Sequence, residues 1–432
     1  MFTRLPQRFA IEAKDQFRHN RAVRRLTASV YAAMADRGTE PSQCAQAIVK
    51  LSKSARLAGS DKQMIRMEQA IHQRIRTLAG RPVDWSALDP GWKSDRIEHG
   101  VVLKPHCGDN EPGVILISFE YQWMRLFHIP NLREFARRYT LVLSPTWSPP
   151  HCPGVCLFPP LYPGRIVSLI SHTDDLRILP RLSPNITVVP LYASSWVQPD
   201  LYSPVPFARK GIDLVMVANF SEYKRHFALF RALRDMPRST RVLLVGRPLA
   251  NRGADVLRRE AAAWGVQDRF ELMENASEKQ VNAALAGAKV SVILSRQEGS
   301  CVVVVESMFA DTPVGLLSDA HIGSRAFIAP QTGRFLEHED LGRQLQDFIE
   351  HAGEYSPRRW AIENGISCFG STQMLNEFLK KQALTAGQAW TRDIVPHHWR
   401  PNPELVSPAD RARFQPEYDD FFERFGIHLG LA

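Results

Sequence analysis

The sequence contains few cysteines and no long hydrophobic run, and each scarcity excludes a class of protein. Its six cysteines are scattered over 432 residues, which suits reduced thiols and argues against a disulfide-bonded secreted scaffold. No apolar run approaches the roughly 20 residues that a membrane-spanning helix needs. The first residues, MFTRLPQRFAIEAK, lack the apolar core of a secretory signal, so we expect a cytoplasmic location.

Candidate metal ligands also lack a familiar arrangement. Two His-Cys pairs occur, His106-Cys107 and His151-Cys152, and Cys156 is close to the second pair. Their spacing matches no common zinc module. No Asp-x-Asp motif stands at the end of a predicted strand. We therefore reject a zinc site and assign these side chains to packing.

The charge of the chain is unevenly distributed. Composition is typical of a soluble globular protein, with 44% hydrophobic and 23% charged residues, and the length predicts two or three domains. The formal net charge is +9. Residues 1–96 contain 18 Lys and Arg against 9 Asp and Glu, so this segment carries the whole excess.

Residues 1–96 are predicted to form a basic helical extension, because apolar residues repeat there at helical spacing. The two repeating sets are Val23, Leu26, Val30 and Met34, and Met64, Ile71, Ile75 and Leu78. The basic positions between them suit peripheral contact with anionic membrane, an acidic partner or nucleic acid, while a helical cap with a solvated basic face is the simplest interpretation. Aromatic residues that would stack on bases are not interleaved here, which disfavours nucleic acid.

Short apolar runs then predict a first α/β domain over 97–205. Its predicted strands are GVILIS (113–118), TLVLS (140–144), IVSLIS (166–171) and ITVVPL (186–191). A helix is predicted over 131–138, and the proline-rich stretch 145–163 is predicted to be loop. A proline-containing linker follows at 199–211.

A regular alternation of strands and helices predicts a second, doubly wound domain over 206–380. Predicted strands lie at 212–218, 242–246, 270–273, 290–294 and 314–317, and predicted helices at 225–235, 254–264 and 277–286. Ser277 is the expected N-cap of the last helix. Residues 381–432 are predicted to be a tail that packs back on the first domain.

The stretch EGSCVVVVE, from Glu298 to Glu306, organises the second domain. It follows a predicted strand and reads as a loop and a helix start, with Glu306 in the second turn of that helix. Both carboxylates are thereby predicted at the carboxyl end of a parallel sheet, where ligands bind in open α/β folds. Carboxylates suit sugar or ribose hydroxyls because they only accept hydrogen bonds and form strong, charge-assisted ones.

Residues 212–336 resemble the nucleotide-binding half of retaining GT-B glycosyltransferases, especially glycosyltransferase family 4. The resemblance rests on five motifs that occur here in the same order as in that family. The motifs are VANFSEYKRH, LLVGRP, ENASEKQ, SRQEGSCVVVVE and ADTPV. The resemblance implies an α/β GT-B fold, with two Rossmann-like doubly wound domains that face a cleft, here with a helical N-terminal extension. It also implies transfer of a sugar from a nucleotide-sugar donor to an acceptor hydroxyl with retention, without metal or other cofactor. The acceptor is expected to be a glycan or a lipid-linked glycan.

The same resemblance implies roles for individual residues. Lys224 matches the lysine that neutralises the donor diphosphate, Glu298 the glutamate beside the donor sugar, and Glu306 the glutamate that binds the ribose hydroxyls. Backbone groups of Gly299, Ser300 and Cys301 are expected near the sugar and phosphates. Asn275 and Arg247 lie in turns expected around the base.

Three departures from the family pattern stand out. Asn219 replaces an arginine five positions before the lysine, which removes a bidentate phosphate donor; Arg225 or Arg247 is a candidate replacement. Gly-Ser-Cys at 299–301 replaces Gly-aromatic-Gly, so the loop has less backbone freedom. Finally, Ser-Phe-Glu at 118–120 stands where a glycine-rich turn is expected.

Many members have a histidine near the anomeric carbon, and His172 is the preferred candidate because it directly follows a strand. Asp174 or Asp175 is positioned to orient it. His106 and His151 are the alternatives, and a surface role for His172 is equally consistent with the sequence.

The sequence therefore predicts a glycosyltransferase. The main alternative is an inactive glycosyltransferase-like protein that binds a nucleotide or glycan, which the departures at 219 and 299–301 favour. An epimerase or phosphorylase on the same fold and a nucleic-acid-binding protein rank lower.

Overall fold

The protein is described by a computed structural model that covers residues 4–35, 37–88, 95–145, 151–249, 251–400 and 402–430, without the side chains of 4–6 and 400. The chain forms two compact units. Unit 1 comprises the residues up to Phe17 together with Val197–Ser367, and unit 2 comprises Arg18–Trp196 together with the residues from Cys368 onward.

Helices occur throughout the described residues, and none of them is long and apolar enough to cross a membrane. In chain order they are α1 Arg4–His19, α2 Arg21–Ala33, α3 Pro41–Leu57, α4 Asp61–Leu78, α5 Glu120–Trp123, α6 Leu132–Arg138, α7 Pro153–Leu161, α8 Asp175–Leu182, α9 His226–Leu233, α10 Ala254–Trp264, α11 Glu278–Ala286, α12 Val303–Phe309, α13 Leu341–Glu350, α14 Pro357–Glu363, α15 Cys368–Thr385, α16 Pro408–Arg413 and α17 Gln415–Phe425.

The strands belong to two larger sheets and two small pairs. In chain order they are β1 Arg96–Ile97, β2 Gly100–Lys104, β3 Gly113–Ser118, β4 Tyr139–Ser144, β5 Ile166–Ile170, β6 Ile186–Tyr192, β7 Ile212–Val217, β8 Val242–Gly246, β9 Glu271–Glu274, β10 Ala288–Ile293, β11 Val314–Leu317, β12 Gly333–Leu336, β13 His397–Arg400, β14 Asn402–Leu405 and β15 His428–Leu429.

Unit 1 is built on a parallel six-stranded sheet in the order β12-β11-β10-β7-β8-β9. The central strands β7 and β10 are short apolar runs that are buried along most of their length, as expected when helices cover both faces of a parallel sheet. Ser277 caps α11 and forms a capping box with Gln280, as predicted. The alternation predicted for this region is confirmed.

Unit 2 contains a five-stranded sheet in the order β2-β3-β4-β5-β6. Strands β3 to β6 are parallel and confirm the four predicted strands, whereas β2 joins the edge antiparallel to β3 and was missed. Helices α3 and α4, in the region predicted as an extension, share one hydrophobic core with this sheet. Their buried residues include Ile48, Leu51, Ile71 and Ile75.

The prediction that residues 145–163 form a loop is wrong for Pro153–Leu161, and residues 146–150 lie outside the described residues. Helix α7 occupies Pro153–Leu161 and buries Val155, Leu157 and Phe158. Proline is tolerated at the first helical position because that N–H has no partner in the helix. Two further prolines, Pro159 and Pro160, fall in the last turn, where each lacks the N–H that would donate to the carbonyl four residues earlier.

A buried carboxylate connects the C-terminal segment to the β2–β3 region. Glu111 accepts hydrogen bonds from the N–H and hydroxyl of Thr391, both at 2.7 Å, and its carboxylate lies 3.0 Å from the ammonium of Lys104. Burial opposes the charged form of Glu111, but the bonds from Thr391 and Lys104 outweigh burial and lower the pKa to about 2. Nearby, the N–H of Val395 donates to the carbonyl of Leu103 at 2.9 Å.

We expect Glu111→Gln to lower the free energy of unfolding by about 3 kcal/mol at pH 7, because Lys104 would remain buried without its counter-charge. The folded-state pKa of Glu111 lies below its unfolded value, so its contribution is complete above about pH 4.5 and is lost as the pH falls towards 2. Urea unfolding across this pH range measures the effect. The exposed Glu423→Gln is the control, and an equal loss in both variants would contradict the prediction.

Candidate functional site

The candidate site lies where the strand order of unit 1 reverses. From β7 the chain continues outward through β8 and β9, whereas β10, β11 and β12 follow on the other side of β7. The loops after β7 and β10 therefore diverge at the carboxyl edge of the sheet, which is where open α/β folds bind ligands. Lys224 comes from the first loop and Glu298 from the second.

Lys224 and Glu298 form a close ion pair. The ammonium nitrogen of Lys224 lies 2.6 Å from Oε2 of Glu298, and the two side chains are 13% and 8% exposed. Burial alone would lower the pKa of Lys224, but the neighbouring carboxylate outweighs burial and raises the pKa above its usual value. The lysine is consequently a fixed positive charge at the edge of the sheet.

Backbone hydrogen bonds hold the loop that carries Glu298. The N–H of Glu298 donates to the carbonyl of His321 at 3.2 Å, and the N–H of Gly323 donates to the carbonyl of Gly299 at 2.9 Å. The hydroxyl of Ser295 donates to the second carboxylate oxygen of Glu298. The carboxylate of Glu298 is thus held by Lys224 at one oxygen and by Ser295 at the other.

Two non-glycine residues take left-handed backbone conformations where the family pattern has glycine. Cys301 has φ 45°, and Phe119, at the N-cap of α5 in unit 2, has φ 63°. Such conformations cost about 1–2 kcal/mol for residues with a Cβ atom, so the surrounding structure must impose them. Burial and the nearby Glu298 raise the pKa of the Cys301 thiol.

Ser300 offers an unused hydrogen-bonding group in the same loop. Its residue is 6% exposed, and its Oγ has no hydrogen-bond partner among the described residues. The Oγ of Ser221, in the loop after β7, is also buried and has no hydrogen-bond partner among the described residues. Buried polar atoms are normally paired, so each is a candidate for contact with a ligand.

Glu306 is partly buried and closes the first turn of α12, one turn earlier than predicted. The valines between the two glutamates explain the placement, since Val304 and Val305 are fully buried and turn that side of α12 towards the core. Thr312, after the helix, is buried and donates to the carbonyl of Leu285 at 2.7 Å.

The loop after β7 contains Asn219 where the family has arginine. Its Oδ1 accepts the N–H of Ser221 at 3.2 Å, and its amide lies 3.4 Å from the hydroxyl of Tyr223. Asn219 therefore shapes the turn that leads to Lys224 and supplies no charge.

Arg225 is engaged within the protein. Its side chain is 3% exposed. The guanidinium donates to both carboxylate oxygens of Asp15, at 3.0 and 3.1 Å, and to the carbonyl of Leu294 at 3.1 Å. Asp15 lies on α1 and belongs to unit 1. Reasoning from the sequence missed Asp15, because no local pattern relates it to a residue 210 positions away.

Arg247 and Asn275 lie at the ends of the neighbouring strands β8 and β9, and both are exposed. The N–H of Asn275 donates to the carbonyl of Gly246 at 2.8 Å, and Asn275 has φ 55°. Gly246 must remain glycine, since an added Cβ would lie 2.0 Å from the carbonyl oxygen of Ala218. The carboxyl ends of β7, β8 and β9 are thus packed closely together.

The candidate histidines all lie in unit 2. His172 follows β5, and its Nδ1 accepts the N–H of Asp174 at 3.2 Å. Asp175 instead receives the backbone N–H groups of Ser171 and His172, so it orders the loop and not the imidazole ring. His151 is buried, with its Nε2 2.8 Å from Oε1 of Glu68.

Comparison with known proteins shows similarity in sequence over one region and similarity in fold. Residues 202–365 match the family model described as glycosyl transferases group 1. The structure of sucrose-phosphate synthase from Thermosynechococcus elongatus is similar with a TM-score of 0.50 and 16% identity, over 64% of this chain and 74% of that chain. HepE from Anabaena, solved in complex with UDP, has the same TM-score and identity over 62% of this chain and 78% of that chain. No curated protein matches the chain.

At these identities the structural similarity establishes the fold. The predicted GT-B fold, with two Rossmann-like domains and a helical N-terminal region, is confirmed. The chain is thus similar in fold to the GT-B glycosyltransferases and, over residues 202–365, in sequence to the group 1 family of glycosyl transferases.

Proposed function

We propose that the protein is a glycosyltransferase that moves a sugar from a nucleotide-sugar donor to an acceptor hydroxyl with retention at the anomeric carbon. The proposal rests on the Lys224–Glu298 pair, which lies where the strand order of the unit 1 sheet reverses. It places a buried positive charge and a hydroxyl-binding carboxylate next to each other, as a sugar diphosphate requires.

In the proposed reaction the bond between the anomeric carbon and the diphosphate breaks, and the oxygen of the acceptor hydroxyl forms a new bond on the same face of the sugar. The proton of that hydroxyl passes to the leaving diphosphate. Negative charge grows on the leaving diphosphate, and Lys224 stabilises it. Glu298 accepts hydrogen bonds from sugar hydroxyls, and Glu306 fixes the ribose. The free hydroxyls of Ser300 and Ser221 are further donors to the phosphates or the sugar. His172 is retained as a candidate for contact with the sugar, and no metal takes part.

The second candidate function is nucleotide or glycan binding without turnover. Two observations favour it: Asn219 supplies no positive charge, and Asp15 already neutralises Arg225. Lys224 is then the main cation available to the leaving group.

Calorimetric titration with UDP, GDP, ADP and their common sugar conjugates tests the proposal. UDP comes first because HepE, which shares the fold, was solved with it. Micromolar binding of one nucleotide, followed by acceptor-dependent release of that nucleotide from its sugar conjugate, is the expected result. Binding without turnover across a panel of glycan and lipid-linked acceptors would favour the non-catalytic function, and no binding at all would refute the proposal.

We also propose that the acceptor is a glycan or lipid-linked glycan and that the N-terminal region makes peripheral contact with anionic membrane. Leu26, Val30 and Met34 are 68%, 48% and 53% exposed and follow one face of α2 and its C-cap. Arg21 and Arg25 are exposed beside them. An apolar stripe with a basic flank suits an interface of anionic lipid and water.

Replacing Leu26, Val30 and Met34 together by serine should reduce binding to vesicles containing phosphatidylserine at least about tenfold, because the inserted apolar area is lost. Deletion of the whole N-terminal region is unsuitable, since α3 and α4 fill the core of unit 2. Leu384→Ser, at an equally exposed leucine on α15, is the control. Unchanged sedimentation of the triple variant with these vesicles would refute membrane contact through α2.

A further inference from the structure

Helix α1 lies on unit 1 with its polar face inward. Arg8 donates to the carbonyl of Ala263, Glu12 lies 3.4 Å from Arg231, and Lys14 lies 2.6 Å from Glu222. Phe9 and Phe17, on the other side of the helix, are 75% and 66% exposed. Charged groups therefore hold the helix on unit 1, while its two phenylalanines stay largely exposed.

Asp15 is the buried member of this polar face. It is 8% exposed, and its two oxygens receive Nε and Nη2 of Arg225 in a bidentate arrangement, while Nη1 of Arg296 lies 3.9 Å away. A bidentate arginine–carboxylate pair fixes orientation as well as charge. Asp15 therefore sets the direction in which the Arg225 guanidinium points.

Arg225 in turn connects the two loops of the candidate site. It directly follows Lys224 and has φ 58° and ψ 43° at the N-cap of α9. Its Nη1 donates to the carbonyl of Leu294, four positions before Glu298. The backbone of Arg225 is thus next to Lys224, and its guanidinium binds Leu294, where the segment that carries Glu298 begins.

We infer that Asp15 is a positioning residue for the donor site, which acts through Arg225 to hold Lys224 and Glu298 at their mutual distance. The inference rests on the proposed function for its ligand. It makes the N-terminal helix a part of the nucleotide-binding region, although helix and region are far apart in the sequence.

The test compares Asp15→Asn with Glu12→Gln, which removes a neighbouring, more exposed ion pair on the same face of α1. The full-length proteins are titrated with UDP, GDP and ADP, and hydrogen exchange is measured without nucleotide. For Asp15→Asn we expect about tenfold or weaker nucleotide binding, with faster exchange at 219–226 and 294–301. For Glu12→Gln we expect less than a twofold change in affinity.

Asp15→Asn leaves Arg225 buried and without its full counter-charge, which can impair folding. The double variant Asp15→Asn/Arg225→Gln removes both charges and covers that case. Its melting temperature should recover while its nucleotide affinity stays about tenfold low, since this variant lacks the guanidinium that donates to the carbonyl of Leu294. Recovery of affinity together with stability would show a purely structural role and overturn the inference.

Hydrogen exchange separates this inference from the proposed function. If wild type binds none of the nucleotides but Asp15→Asn still speeds exchange in both segments, the proposed function fails and the positioning of the loops stands. If exchange at 219–226 and 294–301 is the same in wild type and Asp15→Asn, the inference is overturned, whichever nucleotide binds.

Discussion

Lys224→Ala should lower kcat/KM for sugar transfer at least about 100-fold. The reason is that the variant loses the buried cation proposed to meet the charge that develops on the leaving diphosphate, and losses of such groups cost about 10²–10³ in rate. The carboxylate of Glu298, 8% exposed, would also remain without its partner and repel the incoming phosphates. Steady-state kinetics with the donor identified by titration, together with the Kd of its nucleoside diphosphate, measure the effect.

Lys289→Gln is the matched control for this prediction. Lys289 forms an ion pair with Asp213 at 2.8 Å in the same unit, but at the opposite end of β10 and β7. Removal of this pair should change kcat/KM less than about twofold. Similar losses in the two variants would mean that Lys224 acts through the stability of unit 1, and the proposed role in the reaction would be wrong.

Glu306→Ala should weaken nucleotide binding by about 10- to 100-fold, because a charge-assisted hydrogen bond to a ribose hydroxyl is worth about 1.5–3 kcal/mol. The ribose is remote from the bond that breaks, so the loss should appear in KM with kcat largely kept. Calorimetry and initial rates on the same protein preparation distinguish these parameters.

Glu271→Ala, at an exposed glutamate on β9, provides the comparison for Glu306→Ala. It should bind nucleotide like wild type. If Glu306→Ala lowered kcat and left KM unchanged, the assignment of Glu306 to the ribose would be wrong, because the residue would then act only in the transition state.

Local patterns were sufficient to predict five of the six strands of the sheet in unit 1, and β12 at its edge was missed. Its strands are short apolar runs separated by helices of ordinary length, and side-chain burial on a parallel sheet requires that pattern. The same reasoning predicted the capping role of Ser277, which depends on chemistry within a few residues. The order of the motifs led to Lys224 and Glu298, and the structure brings these two together.

Other features depend on tertiary contacts that no local pattern encodes. The prolines of α7 would end an isolated helix, yet the apolar residues between them are buried and the helix forms. Cys301 adopts a left-handed backbone that its side chain disfavours, which the packing of the loop imposes. The contribution of Asp15 requires knowledge of which helix lies on which sheet, and the N-terminal charge count gave no such information.

The division of the chain has a consequence for synthesis on the ribosome. Asp15 is made 210 residues before its partner Arg225, an interval of roughly 10–40 s at typical elongation rates. Glu111 likewise receives Thr391 only when 280 further residues have been made. Helix α1 is therefore held in place only after much of unit 1 exists, and unit 2 gains its C-terminal contacts last. An incomplete chain stopped near residue 380 would contain Asp15, Lys224, Arg225 and Glu298 but would lack Thr391, the partner of Glu111.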